Sequence, residues 1–381
     1  MAELHPAAAL ARDLIAVRSV TPAPANAFAP LASALGSAGF TVERHTFGPA
    51  GAAVENLFAF HKAGDGPHLG LAGHMDVVPP GDESAWGVPP FEARVVDGVL
   101  HGRGAQDMKG GVAAMACAAM DWARVATRGT VSLIVTGDEE GPAKHGTKPL
   151  VAAIHERFPL DGCVVGEPTS VSQLGDTMKV GRRGSLSATV TVTGKQGHVA
   201  YQHRALNPVP TALSVGQALL APLDEGSASF LPTNLEIVSI DVGNAAWNII
   251  PAEVTIRFNV RFNDLWTAER LRAELSYRVA GASARGAVEV TFEPANDCFL
   301  TDDPHLRDAV MDAVAEVTGV RPDANTGGGT SDARFIKDHC PVVEFGGVGD
   351  LLHQMDERVS LVELERLTQC YRAIIDRFMA V

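Results

Sequence analysis

Short apolar runs alternate with helical segments in the first half of the chain. Four runs predict buried strands, at Val54–Phe60, His68–Val78, Val131–Thr136 and Cys163–Val165. Apolar residues at helical spacing predict two helices, Pro6–Val17 and Val112–Ala126. Alternation of this kind predicts an α/β fold with a mostly parallel sheet flanked by helices.

The pattern changes after Val180 to alternation of polar and apolar residues. It predicts four strands, at Ser185–Thr193, Leu235–Val242, Glu253–Phe262 and Val288–Phe292, and two helices, at Pro208–Leu220 and Thr267–Ala280. Strands of this type predict an antiparallel sheet with one face covered by the helices, so we interpret residues 181–292 as an inserted α+β domain.

The first pattern returns near the end of the chain. It predicts a helix, a strand and a final helix, at Pro304–Thr318, Val342–Phe345 and Leu361–Met379. Residues 1–180 and 293–381 are therefore predicted to form one domain. A length of 381 residues exceeds what a single core comfortably supports, which makes two domains the default and a single large domain the alternative.

Composition excludes several classes of partner. A formal net charge of −14 argues against nucleic acid or an anionic membrane as the main partner. Every apolar stretch is interrupted before the roughly 18 residues that a membrane span needs. The five cysteines are scattered without a paired motif, which favours neither a disulfide framework nor a thiolate zinc site. A cytoplasmic enzyme acting on a small molecule is the simplest interpretation.

Candidate metal ligands follow the predicted strands. His74 ends one run, and Asp76 could hold its second ring nitrogen if the first binds a metal. Asp107 stands in a glycine-rich segment before the alanine-rich helix. A histidine satisfied by a loop is the alternative for His74, and a helix N-cap is the alternative for Asp107.

The segment Asp138–Glu140 places three carboxylates directly after a predicted strand. Adjacent carboxylates repel one another, which favours a cation beside them, although a solvated charge run is the alternative. Neighbouring side chains point in different directions. One glutamate can therefore bind a metal while the next takes a proton from water, which is the division of labour that hydrolysis requires.

Glu167 and His353 are two further candidate ligands, and each is more often structural when considered alone. With His74, Asp107 and Glu140 they would give a set of nitrogen and oxygen donors without thiolate. Such a set is typical of a catalytic dinuclear zinc, cobalt or manganese centre rather than a structural zinc site.

Four motifs in this order resemble the co-catalytic zinc aminoacylase and carboxypeptidase superfamily. They are GHMDVVP at 73–79, GRGAQDMKGG at 102–111, TGDEEGP at 136–142 and GEPT at 166–169. The resemblance covers essentially the whole chain. It implies a zinc-peptidase-like catalytic domain and a smaller inserted domain that acts as a lid and dimerises, so a homodimer is expected.

The resemblance also implies the metal ligands. One Zn²⁺ of each subunit would be held by His74, Asp107 and Glu167. The other would be held by Asp107, Glu140 and His353, with Co²⁺ or Mn²⁺ as possible substitutes for zinc.

Three further roles follow from the same resemblance. Glu139 would be the general acid and base, and Asp76 would orient His74. His198 would cross the dimer interface and polarise the scissile carbonyl in the partner subunit's site.

Two segments, Gly181–Ser185 and Gly197–Tyr201, resemble those of superfamily members that remove succinate from N-succinyl-L,L-2,6-diaminopimelate in lysine and diaminopimelate biosynthesis. This N-acyl amino acid carries several carboxylates, which arginine can bind in bidentate fashion. The resemblance implies substrate contacts from six residues: Arg182, Tyr201, Asn248, Arg261, Gly329 and Thr330. A surface salt bridge is the alternative for Arg261.

Two positions depart from the pattern of these enzymes. Gln202 stands where proline is expected, and Gly349–Leu352 lacks an asparagine before His353. The second departure removes a possible substrate contact. An N-acyl amino acid deacetylase of the acetylornithine type and a metallo-dipeptidase therefore stay open as alternatives. A non-catalytic metal-binding protein is a remote one, because such a protein has no need of an unligated Glu139.

Overall fold

The computed structural model describes residues 4–283 and 286–380. Its strands, in chain order, are β1 (Thr41–Phe47), β2 (Val54–Lys62), β3 (His68–His74), β4 (Val95–Val96), β5 (Val99–His101), β6 (Thr130–Thr136), β7 (Gly162–Val165), β8 (Thr177–Lys179), β9 (Gly181–Arg182), β10 (Gly184–Thr193), β11 (Gly197–His198), β12 (Asn234–Asp241), β13 (Ile249–Ile250), β14 (Glu253–Phe262), β15 (Ala287–Phe292), β16 (Phe299–Leu300), β17 (Asp323–Asn325), β18 (Val342–Glu344) and β19 (Arg358–Ser360).

The α-helices are α1 (Pro6–Ile15), α2 (Ala29–Ser37), α3 (Lys109–Ala123), α4 (Thr147–His155), α5 (Val209–Leu219), α6 (Ala268–Ala282), α7 (Pro304–Thr318), α8 (Ala333–Ile336) and α9 (Leu361–Met379). Within residues 4–283 and 286–380, none of them is long and apolar enough to cross a membrane.

The chain forms two compact units. The first consists of Met1–Val180, Thr301–Asn325 and Ser331–Val381, and the second consists of Gly181–Leu300 and Thr326–Thr330. The second unit therefore reaches beyond the predicted boundary at residue 292. The physical reason is twofold: β16 pairs with β9, and the hydroxyl of Thr326 donates a hydrogen bond to the carbonyl of Ser229 at 2.6 Å.

The first unit contains an eight-stranded sheet of order β1-β2-β6-β3-β7-β18-β8-β17. Strands β6, β3, β7 and β18 are parallel neighbours in its centre, whereas β1 and β2 join one edge in antiparallel fashion. The sheet is thus mixed with a parallel centre. Every residue of the four central strands is buried, as expected for strands covered on both faces.

Helix α3 is buried along most of its length and packs against α1 and α9. Its alanines and glycines allow this close approach. At its first residue, the Nζ of Lys109 donates hydrogen bonds to the carbonyls of Leu14 (2.9 Å) and Val17 (2.8 Å). These bonds tie the first residue of α3 to the C-terminal end of α1 and to the residues that follow it.

The second unit contains an antiparallel sheet of order β12-β14-β10-β15. Residues on one face of β10 and β14 are buried and pack with apolar residues of α5 and α6 into a separate core. The predicted antiparallel sheet with two helices is confirmed. Clean two-residue alternation made it predictable, because only one face of such a sheet is covered.

Most predicted elements of the first unit lie close to their predicted bounds. The strand predicted over His68–Val78 is shorter than predicted and ends at His74. It ends there because the chain leaves the sheet, and the N–H of Val77 donates instead to the carbonyl of Ser19 at 2.9 Å. This departure frees the residues after His74 to enter the candidate site.

Candidate metal centre

Three neighbouring parallel strands deliver candidate ligands to one edge of the sheet. Strand β3 ends at His74, a turn containing Glu139 and Glu140 follows β6, and Glu167 lies two residues after β7. Because β6, β3 and β7 are adjacent and parallel, their carboxyl ends lie side by side. Polar groups at this edge are the usual position of a site in such a sheet.

His74 is fully buried at the end of β3, and its ring is held by its own chain. Its Nδ1 donates to the backbone carbonyl of Asp76 at 2.9 Å, since a carbonyl oxygen only accepts. In the neutral ring the lone pair is therefore on Nε2, which faces Oδ1 of Asp107 at 3.1 Å. This is the tautomer that a metal-binding histidine needs.

The Asp76 carboxylate is arranged differently from the prediction. Its Oδ1 lies 3.7 Å from Nδ1 of His74, too far for a hydrogen bond. Instead, Oδ1 accepts from the N–H of Glu139 (3.1 Å) and Oδ2 accepts from the N–H of Glu140 (3.0 Å). The carbonyl of Asp76 thus orients His74, while its carboxylate fixes the turn after β6.

The two oxygens of Asp107 face two different imidazoles. Oδ1 lies 3.1 Å from Nε2 of His74, and Oδ2 lies 3.3 Å from Nε2 of His353. The same His353 nitrogen is 3.1 Å from Oε1 of Glu140, and Oε1 of Glu167 is 3.9 Å from Nε2 of His74. Asp107 thus lies between the two imidazoles, and the N-cap of α3 is Met108 instead.

Burial and neighbouring carboxylates raise the pKa values of two glutamates of the site. Burial raises the pKa of Glu139 to about 8, and the nearby carboxylate of Asp332 adds to the effect. Burial also raises the pKa of Glu167 well above its usual value, with a further contribution from the charge of Asp107. Both groups would regain their usual ionisation beside a cation.

The imidazoles show the complementary effect. Hydrogen bonds with Asp107 and Glu140 raise the pKa of His353 to about 10. Burial lowers the pKa of His74, but its hydrogen bond with Asp107 and the neighbouring carboxylates outweigh burial and raise it. Imidazole nitrogens and carboxylate oxygens lie this close together in the cluster, and such a donor set fits metal ions.

Two overlapping groups of potential ligands result. Ligand atoms of His74, Glu139 and Glu167 lie within 4.8 Å of one another, and so do those of His74, Asp107 and Glu140. Distance therefore places Glu139 among the potential ligands, and its separate role as a base rests on the resemblance.

The third carboxylate of the triplet does not join the site. Oδ2 of Asp138 accepts the N–H groups of Lys144 (3.0 Å) and His145 (2.9 Å) and so closes the turn. Asp332, which the sequence analysis did not single out, is buried near Glu139 and accepts the hydroxyl of Thr147 at 2.6 Å.

His198 ends β11 in the second unit and is exposed. Its Nδ1 accepts the N–H of Ala200 at 3.1 Å, so the neutral ring carries its proton on Nε2. The ring lies 5.5 Å from that of Tyr201, which is also exposed. The backbone carbonyl of Asn248 holds this segment by accepting the N–H of Val199 at 3.0 Å.

Arg182 is buried in the second unit, where its Nη1 donates to the carbonyl of Gly327 at 3.0 Å. It thereby contacts the segment that contains Gly329 and Thr330. A Cβ at Gly328 would lie 2.4 Å from the same Nη1, and the φ of +103° there also favours glycine. Arg261 lies on β14, opposite Ser185 and Asn234.

The first unit and its carboxylate-imidazole cluster define a class of protein, an α/β protein with a candidate two-metal centre at the carboxyl edge of its sheet. The chain belongs to peptidase family M20/M25/M40, whose model matches residues 70–377.

Two curated relatives, both called succinyl-diaminopimelate desuccinylase, are similar over nearly the full length of both chains. The one from Nitrobacter hamburgensis is 50% identical, with 98% of this chain and 99% of the relative covered. The one from Xanthobacter autotrophicus is 51% identical with the same coverage.

Solved structures share the fold at low identity. A Staphylococcus aureus tripeptidase has a TM-score of 0.80 at 20% identity and covers 99% of this chain and 100% of its own. A Bacillus subtilis protein described as a dinuclear metal-binding peptidase from the M20 family has a TM-score of 0.70 at 16% identity, with 98% of both chains covered.

Proposed function

We propose that the chain is a dizinc amide hydrolase that converts N-succinyl-L,L-2,6-diaminopimelate and water to succinate and L,L-2,6-diaminopimelate. The observation that carries the chemistry is the position of Asp107, whose two carboxylate oxygens face different imidazoles. A carboxylate in this position can bridge two cations. The substrate follows from the curated relatives.

The ligand assignment proposed for zinc is the one that the motifs imply. His74, Asp107 and Glu167 hold one cation, and Asp107, Glu140 and His353 hold the other. The all-nitrogen and oxygen donor set suits zinc, and Co²⁺ or Mn²⁺ can replace it. When bound, the two cations supply acidity to water and polarise the amide carbonyl.

Glu139 is the proposed proton carrier. Its carboxylate takes a proton from the attacking water and returns it to the leaving amine, so that the amide C–N bond is replaced by a carboxylate and an ammonium group. The Asp76 carboxylate supports this role because it holds the N–H of Glu139 and of Glu140. The Asp76 side chain therefore fixes the backbone of both the proposed base, Glu139, and the neighbouring ligand, Glu140.

The proposed substrate contacts lie in the second unit. Arg182 and Arg261 would bind substrate carboxylates, since the guanidinium fork matches a carboxylate. Tyr201, Asn248, Gly329 and Thr330 would add polar contacts. The proposal for the acyl group is supported by relatives that are about half identical over nearly their whole length.

We further propose a cytoplasmic homodimer. The edge strand β12 supports this proposal, because Val238 and Ile240 expose 67% and 51% of their surfaces there. His198 would act on the substrate carbonyl of the partner subunit. Its Nε2–H supports this role, since a carbonyl oxygen needs a donor.

One comparison of substrates tests the proposal. The zinc-loaded protein is assayed with N-succinyl-L,L-2,6-diaminopimelate, N-acetylornithine and an unblocked dipeptide, and kcat/KM is measured for each. The succinyl substrate should give the highest value. A higher kcat/KM for either competitor overturns the proposed substrate. If the protein binds two cations but hydrolyses none of the three compounds, the proposal that it is an amide hydrolase is overturned. The Glu139→Gln variant, purified by the same procedure, controls for contaminating hydrolases.

A further inference from the structure

Arg103 and Glu357 form an ion pair that is withdrawn from water. Nη1 of Arg103 lies 2.7 Å from Oε2 of Glu357, and the side chains expose only 2% and 1% of their surfaces. The two residues lie far apart in the sequence. Each is close in sequence to a candidate ligand: Arg103 precedes Asp107 by four residues, and Glu357 follows His353 by four.

The Glu357 carboxylate accepts hydrogen bonds from the backbone of the Asp107 segment. Its Oε1 accepts the N–H of Gln106 (2.8 Å) and that of Asp107 (3.1 Å). Its Oε2 accepts the N–H of Gly104 at 3.0 Å in addition to the Arg103 guanidinium. Both oxygens are thus used twice, and three of the four donors belong to the backbone that places Asp107.

The Arg103 guanidinium reaches in the opposite direction, to the His353 segment. Nη1 also donates to the carbonyl of Gln354 (2.9 Å), and Nη2 donates to that of His353 (3.3 Å). His353 has a φ of +61°, a left-handed conformation that costs energy in a residue with a Cβ. Hydrogen bonds to its carbonyl and to the next one offset this cost. The ring of Trp86, 5.1 Å from the guanidinium carbon, covers the pair.

We propose that the Arg103–Glu357 pair is a positioning device that sets the separation of Asp107 and His353, the two ligands that approach the same cation. Each segment is bound to a different member of the pair, so the ion pair is the physical link between them. The inference rests on the proposed function, because it assumes a cation at Asp107 and His353. It assigns to the pair an effect on metal affinity that a buried ion pair serving only the fold would lack.

Glu357→Gln tests the Asp107 half of the device. An amide has one acceptor oxygen, so its NH₂ group must face either the N–H groups of Gln106 and Asp107 or the Arg103 guanidinium. The Asp107 segment should shift, and the dissociation constant of the weaker Zn²⁺ should rise on the order of 10-fold or more. Arg103→Lys tests the His353 half of the device. Lysine keeps the positive charge but loses the forked guanidinium, so binding of the same cation should weaken.

The matched control is Asp176→Asn. Asp176 also gathers backbone N–H groups, those of Val171 (2.8 Å), Ser172 (2.7 Å) and Gln173 (3.1 Å), but this loop carries no proposed ligand. Zn²⁺ affinity is measured by equilibrium dialysis against buffered metal, and the Co²⁺ absorption spectrum reports the geometry. Circular dichroism and Tm of the metal-free proteins report the fold.

The outcomes separate the two proposals. The device is supported if Glu357→Gln and Arg103→Lys bind Zn²⁺ more weakly and have an altered Co²⁺ spectrum. Asp176→Asn should keep both the affinity and the spectrum of the wild type. Affinities within about twofold of the wild type, or an equal loss in Asp176→Asn, overturn it while leaving the metal centre standing. Failure of the wild type itself to bind two cations overturns the proposed function and the device together. If Glu357→Gln does not fold, Arg103→Lys decides by the same criteria.

Discussion

The backbone N–H of Glu140 donates a hydrogen bond to Oδ2 of Asp76 at 3.0 Å. The other carboxylate oxygen accepts the N–H of Glu139. Asp76 is fully buried, and burial raises its pKa to about 6. It therefore acts on the site through the backbone of the turn after β6, a role that its spacing from His74 did not indicate.

Asp76→Asn should lower kcat roughly 10- to 100-fold with little change in KM, as expected when a residue that orients active groups is lost. The amide can accept only one of the two N–H groups, so the turn carrying the base shifts. Steady-state kinetics on the zinc-loaded protein measure the change. An unaltered kcat would contradict the role, and Asp176→Asn again controls for loss of a carboxylate that holds a turn.

Glu139→Gln should retain both cations and lose on the order of 10²-fold or more in kcat, because glutamine cannot carry a proton between water and amine. Metal content and turnover are measured on the same sample. Near-normal turnover would contradict the proposed role of Glu139 as the proton carrier. Loss of metal instead would make Glu139 a ligand, as its distance from His74 and Glu167 permits.

His353→Ala should reduce bound zinc from two ions per chain to one. The side chain is 52% exposed, so its removal leaves no cavity in the core. Metal analysis after dialysis measures the stoichiometry, with His305→Ala as a control on α7, away from the cluster. Two ions retained by His353→Ala would reject its assignment as a ligand.

His68 should make stability depend on pH between about pH 5.5 and pH 7.5. Burial lowers its pKa below the usual value for histidine of about 6.5, so the folded state favours the neutral ring. In that form Nδ1 donates to the carbonyl of Pro159 (3.0 Å) and Nε2 accepts from the hydroxyl of Ser132 (3.0 Å). The stabilisation is complete above pH 6.5, where the unfolded chain is also neutral, and is lost as pH falls through the lowered pKa.

Comparison of the wild type with His68→Gln isolates this effect, since other titrating groups are common to both. The Tm of the wild type should exceed that of the variant most at about pH 7.5, and the difference should shrink towards pH 5.5. A difference that stays constant with pH would show that the titration of His68 does not contribute.

The sequence predicted best where pattern and local chemistry agree. Helix α7 has its predicted bounds because Pro304 occupies its first turn, Asp303 caps its N-terminus and Gly319 ends it with a φ of +78°. Strand β14 also has its predicted bounds, since its alternating residues face a core on one side. In contrast, β1 was not predicted, because it is an edge strand with mostly polar, partly exposed residues.

The site was predictable only in its residue types. His74, Asp107, Glu140 and His353 do come together in the structure. The Asp76 contacts and the Arg103–Glu357 pair were not foreseen, because each depends on backbone groups brought close by folding. Glu357 gave no signal beyond its place after His353, since the backbone it binds precedes it by about 250 residues.

The position of β18 has a consequence for the order in which the protein is made. This strand, Val342–Glu344, lies between β7 and β8 in the sheet, and Glu357, which binds the backbone of the Asp107 segment, is added later still. While a ribosome is synthesising the chain, the emerging first unit therefore has an open slot in its sheet and an untethered Asp107 segment. The unit can close only after β18 and Glu357 have left the ribosome.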